Sequence, residues 1–149
     1  MPQMPHKQFC TFRLGEFFFG IDILQVQEII RRLSFTRIPL APTMIEGLVN
    51  LRGQIVTAID LRLRLELPPR SADKSPTHVV INTADGATSL MVDEIGDMME
   101  LSDDTFELPP DTIQGIAREL ITGVYKLEHG LLLILDTTKV VQLDAKLFD

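Results

Sequence analysis

Tryptophan is absent from this 149-residue chain, tyrosine and cysteine occur once each, and most of the eight phenylalanines lie near the N-terminus. Few rings are therefore available to stack nucleic-acid bases. The formal charge of −7, with no run of Lys and Arg, also argues against a phosphate backbone as ligand. The lone Cys10 cannot close an internal disulfide and reads as an inert core residue on a buried strand. No apolar stretch approaches the roughly 18 residues that span a bilayer, so no direct membrane insertion is expected. Residues 1–7 lack the apolar core of a signal peptide. Together these absences lead to the expectation of a cytoplasmic protein.

Catalytic motifs are missing as well. His6, His78 and His129 are scattered and fit no metal-ligand spacing. There is no nucleophile elbow, P-loop or dinucleotide fingerprint. The acidic group Glu100, Asp103 and Asp104 lacks the glycine and ligand spacing of a calcium loop, and reads as solvated loop. Met91, Met98 and Met99 serve either as core filler or as adaptable interface residues. No catalytic residue, metal ligand or cofactor site is assigned.

What is present is a repeat. Residues 45–61 align without a gap on residues 121–137, with Ile45, Gly47, Leu51 and Asp60 matching Ile121, Gly123, Leu127 and Asp136. A match at about half the chain length implies one small β-rich unit used twice. Ile55–Ile59 and Leu131–Leu135 read as apolar strands, each followed by an aspartate placed to cap a short helix, the first of which Pro68-Pro69 would stop. Those aspartates are thus better explained as strand-to-helix junctions than as catalytic acids. Strands are also expected over Phe9–Leu14, Phe17–Ile23, Val26–Ile30, His78–Asn82 and Ser89–Val92, with turns at 15–16 and 84–86 and one helical turn running into Gly47. Asp93-Glu94-Ile95 echoes Asp22-Ile23-Leu24 at an offset of 71 rather than 76, so a five-residue insertion separates the halves. Short strands between turn signals predict an all-β chain with short helices, built as two small barrels. The proline-rich residues 68–76 read as an exposed loop or linker between them.

The copies part company at one place. Asn50-Leu51-Arg52-Gly53 becomes Lys126-Leu127-Glu128-His129, so the shared fold does not demand arginine at position 52. A guanidinium fixes carboxylates and carbonyls at interfaces, and Glu28, alone among apolar residues in Val26–Ile30, is a candidate partner. A strand surface of this kind suits protein binding; a plain surface arginine at a hairpin is the competing reading.

Phe19-Gly20-Ile21-Asp22-Ile23, Val26-Gln27-Glu28-Ile29, Ile38-Pro39-Leu40-Ala41-Pro42 and the block Ile45–Arg62 together resemble the CheW family of chemotaxis coupling proteins. Met91–Ile95, Ile121–Val124 and Leu133–Asp136 resemble its later blocks. The resemblance spans residues 9–141, departing at Thr57, where a proline is frequent. It implies a single domain over 9–145, made of two five-stranded SH3-like barrels at about 20–68 and 77–141 around a shared apolar interface, with terminal strands open to exchange. It further implies a non-enzymatic adaptor between the cytoplasmic tip of a methyl-accepting chemotaxis receptor and a CheA-type histidine kinase, whose regulatory domain has the same fold. Receptor contact maps onto Val26, Glu28, Ile29, Asn50, Arg52 and Gly53; the kinase contacts fall on barrel ends. A CheV-type receiver domain has no room in this length. The alternatives are a coupling protein of an array controlling type IV pili or a second-messenger enzyme, a small enzyme or metal protein, and a nucleic-acid-binding barrel, the last opposed by charge.

Overall fold

A computed structural model describes residues 6–39, 41–71, 74–84 and 86–142. Residue 85 of the expected 84–86 turn, residue 40 of the proline-flanked segment and residues 143–145 of the expected domain lie outside the described residues. Eleven strands are present among those described: β1 His6–Leu14, β2 Phe17–Asp22, β3 Val26–Ile30, β4 Ile45–Leu51, β5 Gln54–Asp60, β6 Thr77–Thr83, β7 Gly86–Val92, β8 Glu94–Ile95, β9 Met99–Ser102, β10 Ile121–Leu127 and β11 Gly130–Leu135. Helices α1 Leu61–Arg64, α2 Ile116–Leu120 and α3 Thr137–Val141 are one turn each.

The strands form two sheets. One runs β3-β6-β7-β5-β4; the other runs β10-β11-β2-β1-β8, with β9 also paired to β1. Each contains a single parallel pair, β5 with β7 and β11 with β2. The first sheet is therefore built from residues 26–92 and the second from 6–22 together with 94–135. The expected division at 68 and 77 cuts through the first sheet: β6 and β7 stay with it, and the N-terminal hairpin β1–β2 crosses to the second. The physical reason is the edge of β11, whose parallel partner is the apolar Phe18–Gly20 segment of β2. The second sheet accordingly has six strands rather than five.

The repeat is reproduced pair by pair. Ile45↔Ile59, Gly47↔Ala58 and Leu48↔Thr57, with a bulge between the first two, recur 76 residues later as Ile121↔Leu135, Gly123↔Ile134 and Val124↔Leu133, with the same bulge. The Asp60 amide donates to the Met44 carbonyl at 2.7 Å, and that of Asp136 to the Leu120 carbonyl at 2.8 Å. Upstream, Thr36 bridges Leu48 as Glu107 bridges Val124, which is the offset of 71. Both bridges lie where a glycine removes the obstacle: a Cβ on Gly47 would collide with the Thr36 carbonyl, and one on Gly123 with the Glu107 carbonyl and the Phe106 ring. Thr57, where proline would break a ladder bond, continues the strand between Leu48 and Thr88.

Two local expectations need correction. The helical turn before Gly47 is only a turn at 43–44, because Pro42 leaves too few residues before β4 begins at Ile45; the second copy has α2 there instead. Helix α1 ends at Arg64, before Pro68 is reached. Glu66 adopts a left-handed φ of 59°, while its amide meets the Leu63 carbonyl and that of Leu67 meets the Arg62 carbonyl. This is a Schellman termination with glutamate in the place usually taken by glycine. The cap itself is as expected: the carboxylates of Asp60 and Asp136 accept from the Leu63 and Lys139 amides.

Three apolar cores alternate with the sheets. Val49, Val56, Ala58, Val80 and Met91 fill the first unit, and Phe9, Tyr125, Leu132 and Ile134 the second. Between them lies the largest core, where Ile59, Val79, Ile81 and Leu90 of the first sheet meet Phe12, Phe19, Leu133 and Leu135 of the second. Because side chains alternate across a strand, Val79-Val80-Ile81 and Leu132–Leu135 are buried on both faces, which is why they read as unbroken apolar runs.

Candidate partner-binding face

Strand β3 is an edge of the first sheet, and its outward residues are decided by a bulge. Val26 pairs with Ile81 and Glu28 with Val80, so Gln27 is the extra residue. Val26 packs on the core between the sheets, whereas Ile30 packs on the core inside the first unit. Residues four apart on a regular strand would face one way; the bulge turns the strand over. Glu28 is left at the rim, its side chain 23% exposed, and Ile29 faces outward.

The other half of the site is the hairpin between β4 and β5. Leu51 pairs with Gln54, leaving Arg52 and Gly53 as a two-residue loop with φ of 51° and 87°. Both values are left-handed, as a type I′ turn requires, and such turns favour Asn or Gly at the first position. The Asn50 Oδ1 accepts the Gly53 amide at 2.9 Å, securing the loop from within. Leu51 is buried and anchors it to the core. Arg52 then projects with 70% of its side chain exposed, and its Nη2 pairs with the Glu28 Oε2. The contact ties the tip of β4–β5 to the opposite edge strand. It brings Glu28, Asn50, Arg52 and Gly53 together, whereas Ile29 lines a separate hollow with Arg31, Arg32 and Glu94, and Val26 packs on the core between the sheets.

Sequence reasoning missed two exposed apolar residues, of which Ile55 lies on this hairpin. Ile55, at the start of the expected apolar strand, is 61% exposed because it lies opposite Asn50, out of phase with the inward Val56 and Ala58. Leu24 is 86% exposed in the turn that precedes β3, where Asp22 accepts its amide. The parity of β5 was a usable signal for the first; nothing local marks the second.

The equivalent hairpin of the second copy is different in kind. Glu128 and His129 are exposed and neither is left-handed; the positive φ falls on Gly130. Beside it opens an apolar hollow of about 610 Å³ lined by Phe17, Phe18, Met99, Leu127 and Leu131.

The groups that could suggest chemistry are enclosed. The Nδ1 of His78 lies 3.0 Å from the Ser89 Oγ, a spacing a nucleophile and its base would have, but both residues are fully buried between β6 and β7. Burial, aided by the charge of Arg70, lowers the imidazole pKa, so the pair is a neutral core hydrogen bond. Burial likewise raises the thiol pKa of Cys10. Glu100 stands on strand β9, not in the expected loop, and Asp103 and Asp104 on a 3-10 turn. Among the described residues no three His, Cys, Asp or Glu side chains are grouped to hold a metal, and no helix is long and apolar enough to cross a membrane.

The sequence profile of the CheW-like domain matches residues 8–145. The chain belongs to this family. It is 34% identical to the chemotaxis protein CheW of Treponema pallidum over 137 residues, covering 89% of this chain and 81% of that one. It is 31% identical to the protein PilI of Pseudomonas aeruginosa over 122 residues, covering 79% and 66%. The crystal structure of the scaffolding protein TtCheW from Thermoanaerobacter tengcongensis superposes with a TM-score of 0.84 at 27% identity, over 94% of this CheW-like chain and 95% of the other. Two β units sharing one core are thus the family fold.

Proposed function

We propose that this chain is a non-enzymatic, cytoplasmic adaptor that couples the cytoplasmic tips of methyl-accepting chemotaxis receptors to a CheA-type histidine kinase. The observation that carries the reading is Arg52: a long cation held outward on a strained two-residue turn, paired with Glu28 across the sheet edges and close to exposed Ile55 on the same hairpin. Arginine is enriched at protein-binding hot spots, where neighbouring contacts exclude water from it. The receptor tip docks on this face. The apolar hollow at the end of the second unit offers a separate surface for the like-folded regulatory domain of the kinase, so one molecule can bridge two partners. The enclosure of His78, Ser89 and Cys10 supports the absence of catalysis.

Reconstitution tests the reading. Receptor-containing vesicles, kinase and this chain together should raise kinase autophosphorylation and co-sediment. Arg52→Ala should weaken receptor binding by about 2 kcal/mol or more while kinase binding persists. Loss of neither, or turnover of ATP by the purified chain alone, overturns the proposal. A second reading, an adaptor in an array whose output is type IV pili or a second messenger, rests on the likeness to PilI. Which kinase co-purifies with the chain decides between them.

A further inference from the structure

The chain carries seven more negative than positive groups, yet one cleft between the two sheets is basic. It has a volume of about 390 Å³ and is lined, among the described residues, by Arg13, Arg62, Arg70 and Lys74 and by two carboxylates, Asp93 and Glu94. An adjoining hollow shares Asp93 and Glu94 and adds the exposed Arg31 and Arg32. Six of the fourteen Lys and Arg residues thus line these two neighbouring hollows of an acidic protein.

Local pairing does not absorb this charge. Asp93 is committed to Arg62, with Nε to Oδ1 at 2.9 Å and Nη2 to Oδ2 at 2.5 Å, and it also accepts the Gly15 amide at 2.7 Å. The remaining Arg62 nitrogen donates to the Pro68 carbonyl at 2.9 Å. That pair is structural: it locks the β1–β2 turn and α1 onto the segment after β7. What remains among the described residues is Arg13, whose guanidinium sits 5.0 Å over the Phe18 ring, with Arg70 and Lys74, faced by the exposed Glu94. Neither Arg70 nor Lys74 takes part in an ion pair among the described residues. The Arg70 Nη1 is moreover enclosed with no hydrogen-bond partner. Arg70 acts on Asp93 only through space, that carboxylate being bonded to Arg62. An enclosed guanidinium nitrogen with no hydrogen-bond partner is unfavourable, and an anion in the cleft it lines would offset that cost.

We infer that this cleft is a binding site for a small dianionic oxyanion, inorganic phosphate or the phosphate group of a monoester, with Arg70 as its principal cation and Lys74 and Arg13 completing the cradle. The surplus of positive charge left after Arg62 and Asp93 neutralise each other matches a dianion better than a carboxylate. The volume far exceeds the ~30 Å³ share of one water, leaving room for an ester. The cleft shares no residue with the Arg52–Glu28 contact and does not depend on the adaptor reading.

The test is a titration of the full chain with sodium phosphate, ionic strength held constant with sodium chloride, followed by amide spectra. Saturable shifts centred on Gly15, Lys74 and Glu94 are expected, weakened at least tenfold in Arg70→Gln, with phenyl phosphate binding at the same place and acetate failing to. Shifts that never saturate, or saturate equally in Arg70→Gln, overturn the inference. So does acetate matching phosphate, or a glutamate-rich peptide that binds the cleft when phosphate does not, which would make it a protein-docking surface. If Arg70→Gln does not fold, Lys74→Gln, altered on an exposed side chain, carries the same criterion.

Discussion

Arg52 is held in a conformation that its own side chain disfavours. A left-handed non-glycine residue costs on the order of 1–3 kcal/mol, and the neighbouring copy of the same hairpin avoids that cost with no left-handed residue in its loop. The Arg52–Glu28 pair is too exposed at the arginine end to offset it: surface pairs are worth about 0–1 kcal/mol, against 3–5 for breaking a buried one. Arg52→Ala and Glu28→Ala should therefore each shift unfolding by no more than about 1 kcal/mol, with little non-additivity in the double mutant, as read from urea melts. Arg52→Asn sharpens the point. It supplies a residue suited to a type I′ turn, so stability should hold or rise by up to about 1 kcal/mol while receptor binding falls. A loss of stability alongside the loss of binding would show the arginine to be structural.

At the scale of elements, what could be read in the sequence was whatever is specified locally. The apolar runs Ile55–Ile59 and Leu131–Leu135 announced strands because each puts buried residues on both faces, Val56 and Ala58 opposite Ile59 and Leu132 and Ile134 opposite Leu133 and Leu135. The two aspartates announced caps because a carboxylate satisfies a free helix amide. Glu28 stood out as a charge among apolar residues, and Arg52 as the point where the copies differ. The bulge at Gln27 and the termination at Glu66 left no such mark, since each arises from backbone geometry imposed by neighbours. Nor could the basic cleft be seen, its cations being spread from Arg13 to Lys74. The repeated glycines were visible as a match but not as a reason. Gly47→Ala and Gly123→Ala should each cost about 1–3 kcal/mol or more in thermal or urea unfolding, because the added methyl meets a backbone carbonyl that cannot rotate away. Arg64 is a second element-scale test. Its guanidinium donates to the carbonyls of Val140 at 2.9 Å, Lys139 at 3.0 Å and Gln142 at 3.3 Å, closing the end of α3 from the opposite repeat. Arg64→Met should speed hydrogen exchange at the Val140 amide and reduce stability by about 2 kcal/mol, the range for a charged donor.

For the whole molecule, buried titratable groups set the acid limit of stability. His78 has its pKa lowered by burial and then by Arg70, so the unfolded chain takes up a proton near pH 6.5 that the folded chain refuses. Its contribution is complete above that pH and is lost as the pH falls toward the depressed folded value. Burial alone would raise the Asp93 pKa, but hydrogen bonds from Arg62 and Gly15 and the charges of Arg62 and Arg70 outweigh it, leaving the pKa lowered. That stability persists above the ordinary carboxylate range and disappears only in stronger acid. Urea midpoints measured between pH 7.5 and 5.0 should decline in the natural chain and flatten in His78→Gln. An unchanged slope in that variant would assign the decline elsewhere.

The crossing of β1–β2 into the second sheet also orders events in time. Synthesis proceeds from the N-terminus, and residues 26–92 can close the first sheet as soon as they leave the ribosome. The Phe-rich hairpin made before them has to wait, its parallel partner β11 being the last of the described strands to be translated. During that interval Phe12, Phe17, Phe18 and Phe19 are a sticky flap on an otherwise finished unit, the kind of surface that chaperones hold and that aggregates when they do not. Nascent chains stalled before residue 130 should show protease protection over 26–92 and none over 6–22, and the gap between the two should close only when β11 emerges.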